Sequence, residues 1–64
     1  MNKFMKDDIV KHKTFGIGKV LDIISFYKIE VKFVDVGKKL LDTNHAKLKL
    51  LEGEEAIHPE LDNL

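Results

Sequence analysis

The sequence predicts an all-β fold, a small five-stranded SH3-like barrel. Three observations carry that reading. Lys28-Ile29-Glu30-Val31-Lys32-Phe33 alternates charged and apolar residues, so one face of a strand is buried and the other wet. Val10 to Val20 holds two apolar segments around the bend Lys13-Thr14-Phe15-Gly16-Ile17-Gly18, the pattern of two strands joined by a tight turn. The remaining segments are short, β-prone and separated by close turns rather than by a helical period.

Taken in order, residues 1–7 are a polar lead-in with Phe4 and Met5 embedded, placed to pack one side chain on the barrel. The barrel spans residues 8–51. Asp8 to His12 is the first strand. Gly16 and Gly18 shape the bend, since glycine reaches positive φ without steric cost and lets another backbone approach closely. Gly18 to Ser25 is the second strand, rich in β-branched residues. Ser25 to Tyr27 turns into the third strand, Lys28 to Phe33. Val34-Asp35-Val36-Gly37 is a turn with Gly37 at its positive-φ position, and Lys38 to Leu41 is the fourth strand. Asp42 to His45 fits one short helical turn, and Lys47 to Leu51 is the last strand, with Leu48 and Leu50 inward. Residues 52–64 are an acidic tail, partly helical or disordered, interrupted by Pro59.

Composition narrows the function. A chain of 64 residues holds one modest core and little room for a deep cleft. It has no cysteine, so disulfides and thiolate metal sites are excluded, and a reducing cytoplasm is the expected compartment. No apolar run approaches the roughly 20 residues of a membrane span. The chain starts at Met1, which favours a free-standing protein over an excised domain. Net charge is zero but unevenly laid out. All eleven lysines lie in residues 1–51 against six carboxylates, leaving +5, while residues 52–64 carry −5. That split presents either a solvated surface or a basic face for an acidic partner, partly masked by the tail.

Catalytic and cofactor chemistry are not expected. Gly16-Ile17-Gly18 runs into a strand pattern, not the helix that a phosphate-binding loop requires. His12, His45 and His58 lack metal-ligand spacing, and His12 is placed to hydrogen-bond across its loop. Ser25, the only serine, has no glycine-flanked elbow, and Asp7 and Asp8 would point to opposite faces. Lysines such as Lys11, Lys13, Lys19, Lys38 and Lys39, with Phe15, Phe26 and Tyr27, allow weak, salt-sensitive nucleic-acid contact. The absence of arginine removes the bidentate guanine contact, so sequence-specific duplex reading is not expected.

Four blocks in order carry a resemblance: Ile9-Val10-Lys11-His12-Lys13-Thr14-Phe15-Gly16-Ile17-Gly18-Lys19-Val20, Ile29-Glu30-Val31-Lys32-Phe33, Gly37-Lys38-Lys39-Leu40-Leu41 and Ala46-Lys47-Leu48. Together they resemble the C-terminal Tudor-like domain of UvrD/PcrA-type bacterial DNA helicases, which is related to the polymerase-interacting domains of CarD and Mfd. The resemblance implies a Tudor-like barrel that docks on RNA polymerase or on a helicase or repair complex. The helicase motor is absent, so no ATPase is implied. The family's glycine before the first aspartate is replaced by Asp7, and Leu40 follows Lys39 where the fourth strand often carries an aromatic. The surface expected to meet the partner is Lys13, Thr14 and Phe15 with the exposed side of Lys38 and Lys39, with no small-molecule substrate, cofactor or metal. The other reading is a weak, nonspecific nucleic-acid-binding barrel using surface lysines.

Overall fold

The computed structural model describes residues 4–56; the reading of residues 57–64 as tail lies outside the described residues. The fold is all-β, a small SH3-like barrel. Its strands are β1 (Ile9–His12), β2 (Gly16–Ser25), β3 (Lys28–Phe33), β4 (Gly37–Asp42) and β5 (Lys49–Leu51). All pairs are antiparallel, in one sheet of order β4-β3-β2-β1-β5. β2 is the longest strand. It pairs with β1 through its first half and with β3 along its length, so it carries the sheet around the core. Register shifts between Val20 and Asp22 and between Ile23 and Ser25 mark where it departs from regular pairing, as bulges do when a strand must bend.

The core is built by alternation. Val10, Val20, Ile29, Val31 and Phe33 are at most 1% exposed, and Phe4 from the lead-in joins their cluster. Val20 pairs with Val31, and Gly18 with Phe33, so inward residues of neighbouring strands stand side by side. The lead-in is tied down by the backbone N–H of Asp7 donating to the carbonyl of Val20 and that of Val20 donating to the carbonyl of Asp8. These bonds continue the β1–β2 pairing to the position where the sequence starts the first strand.

Two hairpin loops share one geometry. Lys13-Thr14-Phe15 leads into Gly16 at φ +86°, and Val34-Asp35-Val36 leads into Gly37 at φ +79°. A three-residue loop closed by a left-handed residue is a common hairpin solution, and it explains why glycine follows each loop. The β2–β3 turn uses only Phe26 and Tyr27.

The expected helical turn before the last strand is a single hydrogen-bonded turn. The N–H of Ala46 donates to the carbonyl of Asp42 at 2.7 Å, and the Asp42 carboxylate accepts from the N–H of Asn44. A 3-10 helix follows β5 over Gly53–Ala56. One expected burial is corrected. Leu50 pairs with Val10 yet is 40% exposed, whereas Leu51, paired with Ile9, is 7% exposed. Leu48 packs against the core from the preceding segment.

Candidate interaction surface

The β1–β2 loop is held by an imidazole. His12 stands on the same face of β1 as Val10, two positions along. Its Nδ1 accepts hydrogen bonds from the backbone N–H of Thr14 at 3.0 Å and of Phe15 at 3.1 Å. Accepting two donors at Nδ1 places the ring proton on Nε2. The side chain therefore supplies the acceptor that a tight loop would otherwise lack, fixing where Phe15 goes.

Phe15 folds back over the end of the barrel. Its ring stacks on His12 with centroids 4.5 Å apart and planes 19° apart, and it lies 5.4 Å from the ring of Phe33. Offset-stacked and tilted arrangements such as these are the favoured ones for aromatic rings. Phe15 is only half-buried, and the ammonium of Lys39 lies 5.5 Å from its centroid, within cation–π range. Gly18 makes this packing possible. A Cβ there would stand 2.7 Å from Phe33 Cδ1, 2.8 Å from Val31 Cγ1 and 2.9 Å from the Lys32 carbonyl oxygen.

The expected surface residues therefore divide. Phe15 and Lys39 meet at one rim of the barrel, and Lys13 and Thr14 lie exposed on the adjoining loop. Lys38 goes elsewhere. Lys39 pairs with Val31, on the core side of the sheet, whereas Lys38 pairs with Lys32 on the outer side. Alternation along a strand requires that separation, and it was available from the sequence once Lys38 to Leu41 was read as a strand. The role of His12 as a loop anchor was legible too. The Lys32 partnership of Lys38 was not, since it depends on the β3–β4 register.

β4 ends the sheet, and among the described residues no strand pairs with its outer edge. Such an edge presents backbone N–H and C=O groups to a partner strand. Beyond it, described ion pairs are few. Lys19 Nζ lies 3.7 Å from Asp7, and His45 lies 3.8 Å from Asp42. Among the described residues, no group of three or more His, Cys, Asp or Glu is placed to hold a metal ion, and no helix is long and apolar enough to cross a membrane.

A family model described as a protein of unknown function, DUF3553, matches residues 8–51. No curated protein and no solved structure matches the chain. The match covers all five strands and the rim just described, and the chain belongs to that family.

Proposed function

We propose that this DUF3553 member is a non-catalytic protein-interaction module of the cytoplasm that docks on RNA polymerase or on a transcription or DNA-repair complex attached to it. The observation that carries the reading is the meeting of Phe15 and Lys39 at the rim beside the open edge of β4. The partner class comes from the resemblance of the four sequence blocks to the Tudor-like domain of UvrD/PcrA-type helicases. The surface comes from the fold. An extended segment of the partner adds to β4 through backbone hydrogen bonds, and its side chains meet the Phe15 ring and the Lys39 ammonium. Lysines at the edge discourage self-pairing of two identical edges and leave it open to an acidic strand. They also steer encounter with an acidic surface, acting on the association rate more than on the final affinity.

Interferometry with purified bacterial RNA polymerase tests this. Wild type should bind. Lys13→Glu and Lys39→Glu should weaken binding about tenfold each, while their melting temperatures stay near wild type, since exposed substitutions usually shift stability by less than about 0.5 kcal/mol. Absence of binding by the wild type, or equal binding by folded variants, contradicts the proposal.

A further inference from the structure

The face of the sheet opposite the core carries at least one lysine from every strand. Lys19 on β2 pairs directly with Lys32 on β3, and Lys32 pairs directly with Lys38 on β4. Lys11 on β1 pairs directly with Lys49 on β5. Lys11 also pairs with Ile17, two residues from Lys19 on the same face, so the two groups are diagonal neighbours about 7–8 Å apart along one belt. Lys11, Lys19 and Lys32 face outward because Val10, Val20 and Val31 beside them are fully buried on the other side, and Lys38 and Lys49 share that face through their pairing with Lys32 and Lys11. Five adjacent strands set the belt's length at about 19 Å.

Like charges directly opposite one another on a sheet destabilise it. Here the arrangement recurs in both parts of the belt with little to neutralise it. Among the described residues the one carboxylate within ion-pairing distance of a belt lysine is Asp7, 3.7 Å from Lys19 and itself 82% exposed. Asp22 and Glu30, paired with each other, and Leu40 form the next row and bound the belt on one side.

We infer that this belt is a binding surface for the phosphate backbone of nucleic acid, used independently of the Phe15–Lys39 rim. Point charges on neighbouring strands, separated where they are not adjacent by Ile9 and Ile17 rather than by acids, match a repeating polyanion. Lysine contributes charge without the planar fork that would select a particular base, so the contact is to backbone and is indifferent to sequence. The belt and the rim lie on opposite faces of the sheet, with Lys38 on one and Lys39 on the other. One module can thus hold a protein partner while resting on nucleic acid.

The test is fluorescence anisotropy of the full chain with a labelled random-sequence DNA duplex across a salt series. Five lysines, one shared with Asp7, release about four to five counterions. The log affinity should then fall with log salt at a slope of about −4, a loss of about 250-fold between about 50 and 200 mM salt. Lys32→Gln with Lys38→Gln should bring the slope to about −2, with an unchanged or higher melting temperature because cross-strand repulsion is relieved. Lys6→Gln with Lys47→Gln, off the belt, and Lys39→Glu, on the rim, should leave the slope near −4. Absence of low-salt binding, an unchanged slope in the belt variant, or an equal drop in the Lys6 and Lys47 variant overturns the inference. So does displacement of the DNA by polyglutamate as readily as by unlabelled DNA, which would mark a site for acidic protein instead.

Discussion

Gly16 and Gly18, two positions apart, meet different physical demands. At Gly16 the backbone sits at φ +86°, where an L side chain is strained although space is open as far as Asp35 at 3.6 Å. At Gly18 the limit is space, set by Phe33, Val31 and a β3 carbonyl. Gly16→Asn should therefore melt close to wild type, because asparagine tolerates the left-handed region, whereas Gly16→Val should lose about 1–2 kcal/mol. Gly18→Ala should lose about 1–3 kcal/mol by overpacking. In a domain this small, each kcal/mol is about 4–8 °C of melting temperature. A wild-type melt for Gly18→Ala, or equal losses for Gly16→Asn and Gly16→Val, would contradict the assignment. Asp7 is the same problem seen from the other side. It holds φ +73°, the one non-glycine residue at positive φ among the described residues. Asp7→Gly should raise stability by up to about 1 kcal/mol, since the strain relieved exceeds the exposed pair with Lys19 that is lost. A fall in melting temperature would show that the ion pair matters more than the backbone.

At the scale of elements, most of the barrel was legible. β3 has the bounds its alternation predicts, because a strand with one buried face writes period two into its sequence. Both three-residue loops were visible through their glycines. The β2–β3 turn was harder to bound, since Phe26 and Tyr27 carry no turn chemistry and a register shift near Ser25 absorbs the mismatch. At β5 the exposure of Leu50 was not legible, since three residues are too few to display a period and even pairing with the buried Val10 leaves Leu50 40% exposed. The candidate rim was half legible. Phe15 and the loop could be chosen from the bend, but the approach of Lys39 to Phe15 depends on the β3–β4 register and on the loop folding back toward it, a long-range result of topology. The lysine belt was illegible for the same reason, as each of its cross-strand pairs is set by register.

At the scale of the whole molecule, the described sheet has two faces and ends at β4 and β5, and the central claim concerns the β4 edge. A chain with extents of 29 × 23 × 19 Å works through loops, strand edges and faces. The +5 charge of residues 1–51 is divided by the sheet, with Lys39 turned to the rim and Lys38 to the belt. Docking by strand addition makes a demand that neither charge nor apolar contact alone would make: the outward backbone amides of Gly37–Asp42 must acquire hydrogen-bond partners. Amide hydrogen exchange of the full chain, with and without purified RNA polymerase, reads this directly. The account predicts that polymerase slows exchange in β4 and in residues 13–16, with β3 little changed because its amides are already paired within the sheet. Binding that leaves the exchange of β4 unchanged would contradict it.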